Sequence, residues 1–395
     1  MTVKARGMVI GLLAILCLPW TAMAQGAAYK NWHVSNRLRL EYDDNVFTTA
    51  EDRIQSWKII EQIDLSYNLS MENTFLSFRW RPGVIFWENR PGDDTTFNNA
   101  FDLSYNHVFN PRWSVSLQDT FRFTQNPEQV DRGFTTRQKN DFIYNALLGA
   151  VSYLVTTKTR LELAGRWITL QYDEDEVAMF NDYDLYVGGL TLRHAWKPQT
   201  AFSADLRYEA LEYQTSERDS DTISIGLGAE HTFNPGLLGS LSGGYQNRDF
   251  KGESVTQNDS STPYVDLTLT YLPAPATRLS IGASYSLFES DIFPYSSTDR
   301  GRTFLSAGHD FTAKVSGFLT LSYTRNEYNG NEAAGSELVE IQDGEEDWYQ
   351  VSARMSYKLN RRHSLEINWQ YTDVDSDVRD SFKRHRGGIG WVVKI

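Results

Sequence analysis

Residues 107–123, HVFNPRWSVSLQDTFRF, set Trp113, Val115, Leu117, Phe121 and Phe123 on one side of an extended chain. Ser114, Ser116, Gln118, Thr120 and Arg122 fall on the other. A period of two is the mark of a β-strand with one apolar face. The pattern recurs along the chain. NRLRLEY alternates Leu38, Leu40 and Tyr42 with Arg37, Arg39 and Glu41, and SLEINWQYT alternates Leu365, Ile367, Trp369 and Tyr371 with Glu366, Asn368, Gln370 and Thr372. Eighteen such segments start near Trp32, Trp57, Thr74, Phe97, Trp113, Lys139, Thr159, Tyr183, Ala201, Thr222, Leu237, Pro263, Arg278, Arg302, Gly317, Trp348, His363 and Arg384. No helical period of comparable length competes. Asp119 falls on the apolar side, which predicts a bulge that re-aims it. The alternation also slips at Trp167-Ile168, Pro82-Gly83 and Gly188-Gly189.

The connections sort by parity. Even-numbered segments are followed by tight turns such as NPRW, KPQT and NPGL. Odd-numbered segments are followed by longer polar loops such as QNPEQVDRGFTTR and NGNEAAGSELVEIQDGEED. Short turns at one end and long loops at the other predict an all-β transmembrane antiparallel barrel of about 18 strands, with periplasmic turns and extracellular loops. The apolar faces then meet lipid and the polar faces line the interior. Inward by parity are Arg37, Arg39, Glu41, Arg79, Arg81, Arg122, Arg160, Arg166, Arg207 and Arg354, with Asp64, Asp102, Glu162, Asp205, Glu209, Asp266 and Glu366 among them. A planar guanidinium binds carboxylate or phosphate through two hydrogen bonds. Such arginines suit an anionic polymer, or cross-strand pairs that stiffen the wall. The connection 125–137 is a candidate constriction.

A histidine followed at the second position by an aromatic precedes four of the tight turns: His107 with Phe109, His194 with Trp196, His231 with Phe233, and His309 with Phe311. Side chains with an apolar body and a polar tip suit a membrane–water girdle. A shared metal site is the competing reading, but these positions spread around a rim.

Composition narrows the class. Lys4 and Arg6, an apolar run from Met8 to Leu18, and Ala22-Met23-Ala24 read as a secretory signal over residues 1–24, leaving one barrel domain over 25–395. The sequence's single cysteine, Cys17, lies in that run, so no disulfide or cysteine metal site is expected beyond it. A net charge of −13 argues against nucleic-acid binding. No cofactor or metal is expected, and no catalytic signature stands out. The acidic runs Asp173-Glu174-Asp175-Glu176 and Asp343-Gly344-Glu345-Glu346-Asp347 read as solvated loops, or as contacts to lipopolysaccharide through divalent cations.

EYDDNVF ends the first segment. Its Tyr42, Asp44, Asn45 and Phe47 resemble the start of the putative β-barrel porin 2 family, whose first strand closes on a similar sequence. The resemblance implies an outer-membrane barrel, and in some members a link to capsule or exopolysaccharide export and its periplasmic proteins. Asp43-Asp44-Asn45 itself reads as a rim turn, a cation site or a contact to a neighbouring loop. The final GGIGWVVKI, with Ile389, Trp391, Val393 and Ile395 on one face, resembles the signal read by the barrel-assembly machinery, though it ends in Ile where Phe is usual. Three expectations follow: a porin-like channel for polar solutes, a non-conducting structural or adhesive surface barrel, or a soluble secreted β-protein.

Overall fold

Alternating side chains satisfy a strand on both faces, but the backbone needs partners along both edges, and a closed sheet supplies them without leaving an edge. The computed structural model describes residues 31–395, apart from 91–93, 125–128, 132–133, 137–140, 215–218, 252–254, 257–259, 291, 293–294, 296, 330–331, 334–338 and 341. The expected signal segment lies outside the described residues.

The sheet has 18 antiparallel strands. They are β1 (Trp32–Asp43), β2 (Ser56–Ser70), β3 (Thr74–Trp87), β4 (Thr95–Asn110), β5 (Trp113–Thr124), β6 (Phe142–Leu154), β7 (Thr159–Tyr172), β8 (Tyr183–Lys197) and β9 (Thr200–Tyr213). They continue as β10 (Ser220–Asn234), β11 (Leu237–Phe250), β12 (Ser260–Ala274), β13 (Thr277–Glu289), β14 (Ser297–Asp310), β15 (Val315–Asn329), β16 (Gly344–Lys358), β17 (His363–Ser376) and β18 (Phe382–Lys394). Each strand pairs with its neighbours in sequence, and β1 pairs with β18 from Ser35↔Lys394 to Asp43↔Arg386, which closes the cylinder. Every expected start lies within five residues of the observed one.

The turns at one end have two to four residues and the loops at the other have five to 17. Side-chain oxygens shape the turns. Asn110 Oδ1 accepts the N–H groups of Arg112 and Trp113 at 2.9 and 3.1 Å, and Asn360 does the same for Arg362 and His363. Large apolar side chains cover the outside: Leu227 is 71% exposed and Ile225 63%. A soluble protein rarely presents such a continuous greasy belt, so the soluble β-protein reading is set aside.

Four sequence expectations are corrected. The ladder runs unbroken through Asp119, between Leu103 and Leu147, so no bulge re-aims it. Its carboxylate stays on the apolar face and accepts a hydrogen bond from Asn145 Nδ2 at 2.9 Å. Trp167-Ile168 and Gly188-Gly189 also keep strict register. Trp167 faces out and Ile168 faces in, where it is fully buried. At Pro82 the residue count is kept too; only the pairs between Gln62↔Gly83 and Leu65↔Trp80 leave the ladder, because proline has no N–H to donate.

Candidate functional site

At the loop end, part of the inner face is covered by described loop residues. A short helix, α1 (Asp175–Asn181), packs Val177 and Ala178 against Tyr172, Ile168, Leu185 and Leu211. Apolar residues on both faces of β7 thus have two different covers, the surroundings outside and α1 inside. Val46, in the β1–β2 loop, packs on Ile85 and Trp87. Asp182, just after α1, accepts the Tyr172 N–H at 2.8 Å. Burial pushes its carboxyl above the ordinary aspartate range, the Tyr172 N–H pulls it back in part, and the charge of Asp184 pushes it further up.

The predicted arginines share the face opposite the greasy belt, and most are brought into pairs. Arg37 meets Glu366 at 3.3 Å across β18. Arg79 donates its Nε–H to Asp64 at 2.9 Å and makes a second contact through Nη2. Arg81 and Arg122 both hold Asp102, at 2.5 and 2.6 Å. Arg39 meets Glu41 at 3.4 Å, and Arg207 meets Glu209 at 3.7 Å. The structure adds Arg193, paired with Glu230 at 2.7 Å, which the sequence reading passed over. Arg160 and Arg354, both exposed, make no ion pair among the described residues. Arg166 lies on the same face, half-buried.

The charged pairs concentrate on β17, β1 and β2 through β5. The stretch of β9 to β13 is richer in small residues, including Ser203, Ser224, Gly228, Ser242 and Gly244, and is reached by the Arg193–Glu230 and Arg207–Glu209 pairs. Gly226 has a steric reason: a Cβ there would sit 1.8 Å from the Tyr264 hydroxyl, which lies across the wall.

EYDDNVF resolves into a clasp at the closing seam. Arg384 of β18 donates to both oxygens of Asp43, at 2.8 and 2.6 Å. Lys58 reaches Glu41 at 2.7 Å and Asp43 at 3.4 Å. Asp44 Oδ1 accepts the His385 N–H at 2.7 Å, and Asn45 Nδ2 donates to the Lys383 carbonyl at 3.2 Å. Of the three readings of Asp43-Asp44-Asn45, contact with a neighbouring element describes the geometry. Asp43 and Asn45 are fully buried.

At the turn end each of the four histidines has a threonine on the preceding strand. Thr74–His107, Thr159–His194, Thr200–His231 and Thr277–His309 approach to 2.7, 3.0, 2.8 and 2.8 Å. His107, His231 and His309 also meet Phe109, Phe233 and Phe311 edge-on, while Trp196 carries Lys197 over its ring. No group of three or more metal-ligating side chains occurs among the described residues. The candidate constriction at 125–137 lies largely outside the described residues; within it, 129–131 and 134–136 pair as a short ribbon.

Comparison with known proteins adds three findings. The family described as Putative beta-barrel porin 2 matches residues 131–395. That span excludes EYDDNVF. No curated protein matches the chain. The crystal structure of Pseudomonas aeruginosa OccK5 (OpdH) aligns with 92% of this chain and 98% of its own, at TM-score 0.51 and 11% identity. OccK2 (OpdF) from the same organism aligns with the same shares, at TM-score 0.50 and 11% identity. Acinetobacter baumannii OccAB2 covers 94% of this chain and 100% of its own, at TM-score 0.49 and 10% identity. The two Pseudomonas structures share the fold.

Proposed function

The chain belongs to the Putative beta-barrel porin 2 family, and from that premise we propose that this outer-membrane barrel is a porin-like channel that passes polar solutes, acidic saccharides foremost. One observation carries the reading: an inner wall lined by arginine–carboxylate pairs, densest on one arc, with small Ser and Gly residues frequent on another. Arg37, Arg39, Arg79, Arg81, Arg122, Arg166 and Arg207 line the passage in this proposal, and Arg160 and Arg354 offer their charge to a solute directly. A guanidinium already bonded to a carboxylate can exchange it for a solute carboxylate at little net change in pairing. Exported exopolysaccharide is the favoured cargo on family grounds. The His–aromatic pairs sit at the periplasmic lipid boundary, and lipopolysaccharide surrounds the other rim.

A second reading has its own observation. The loops that turn inward at the extracellular end suit a barrel that does not conduct and serves as a structural or adhesive surface.

Planar-bilayer recording separates the two. The purified barrel should conduct and prefer anions under a salt gradient. Replacing Arg79, Arg81 and Arg122 together with Gln should shift the reversal potential toward cations. A barrel that stays silent, in cells whose exported polymer is unchanged by its deletion, would overturn the proposal.

A further inference from the structure

We propose that residues 377–381, the loop joining β17 to β18, form a strap that closes one side of the extracellular mouth and is latched to the inner wall by Arg379 and Glu346. The inference rests on the channel reading above and adds a moving part to it.

Glu346 is an inward residue of β16 and is fully buried. Arg379 reaches it from the strap in a two-pronged contact: Nη2 donates to Oε1 at 2.6 Å and Nε donates to Oε2 at 2.7 Å. The wall holds that carboxylate ready. Trp348 Nε1 donates to Oε1 at 2.5 Å and the Tyr328 hydroxyl donates at 3.3 Å. Beside the charge pair lies a fitted apolar contact. Val378 fills the space over Gly344 so closely that a Cβ on Gly344 would come within 2.0 Å of Val378 Cγ1. The strap's first residue, Asp377, is tied to Glu345 in both directions: its N–H donates to the Glu345 carbonyl at 3.1 Å, and its Oδ1 accepts the Glu345 N–H at 2.6 Å. From the β13–β14 loop, Tyr295 stacks obliquely on Tyr328 at 5.4 Å.

Two kinds of contact hold this segment, and they are separable. The strap carries its own turn: Ser376 Oγ accepts the N–H groups of Val378 and Arg379, and Ser381 Oγ accepts the Ser376 N–H. Those bonds survive if the strap swings away. The contacts of Asp377, Val378 and Arg379 with the wall do not. The element can therefore lift as a unit about its ends, Ser376 and Ser381, without melting β17 or β18.

The closed position is the resting one, because lifting takes Arg379 away from a fully buried carboxylate. Opening is favoured by a ligand that offers Arg379 another oxyanion. An acidic solute at the mouth has that chemistry, so cargo and latch use the same exchange of carboxylates on a guanidinium.

The test is a redox lock. In a chain beginning at Gln25, which has no other cysteine, Gly344→Cys with Val378→Cys should cross-link on oxidation. Single-channel conductance should be small and steady when the barrel is oxidised and should rise about twofold or more on reduction, reversibly. Arg379→Gln and Gly344→Val loosen the two contacts separately. Each should resemble the reduced lock, and heat-modified migration on gels confirms that each variant is folded. Equal conductance in the oxidised and reduced states, or in Arg379→Gln and the parent, overturns the strap and leaves the channel reading standing. Silence in every state overturns both.

Discussion

Asp43 and Asp182 show two opposite uses of a buried aspartate. Asp43 is enclosed with Arg384 and Lys58, so its charge is answered on both sides. Removing it takes a carboxylate away from two buried cations, Arg384 and Lys58. Asp43→Ala should cost about 3–5 kcal/mol in guanidinium unfolding from lipid vesicles, and adding Arg384→Met should recover part of it. Asp182 has backbone and amide donors and no cation pairs with it among the described residues, so burial holds its carboxyl above the ordinary aspartate range. A raised carboxylate pKa means that the folded state binds the proton more tightly. Stability from this group is present below 3.8 and is lost as pH rises through the folded value. Asp182→Asn should therefore be more stable than the parent at pH 7. The advantage should vanish below the ordinary value, as thermal melts across that window would reveal.

Among the strands, the period of two made number, facing and closure order legible, because each one-residue slip would have turned a greasy row inward. The seam clasp was not legible. Its partners Asp43 and Arg384 stand 341 residues apart, and nothing local announces them. Nor was the inward turn of the loops. Apolar residues on both faces of β7 looked like a slip in the alternation, since sequence cannot say that α1 covers the inner face. The histidines were picked out by their aromatic neighbours, while their threonines lie across a hairpin and went unseen. Asp119 is the instructive miss. An intact ladder holds its carboxylate on the lipid side with only Asn145 for company. Replacing both, Asp119→Leu with Asn145→Leu, should stabilise the barrel by about 1 kcal/mol. Asp119→Leu alone should gain less, because the amide then loses its acceptor. Equal or lower stability of the double variant in vesicles would show that this pair faces something other than hydrocarbon.

For the whole molecule, the arrangement is asymmetric along its axis and around it. Along the axis, tight turns built on Asn and Thr lie at one end, and long loops at the other, some of whose described residues fold onto the inner wall. Around it, ion pairs are densest on one arc and small residues more frequent on another. In the proposed channel, both asymmetries would suit directional handling of an acidic cargo.

The pairing of β1 with β18 has a further consequence, for biogenesis. The segment beginning at Trp32 cannot find its last partner until the segment ending at Lys394 has been synthesised and delivered. Through that interval a strand of unsatisfied amides and carbonyls waits, liable to pair with the wrong chain. The cylinder therefore cannot close before its final strand arrives, and its opening edge stays available for pairing until then.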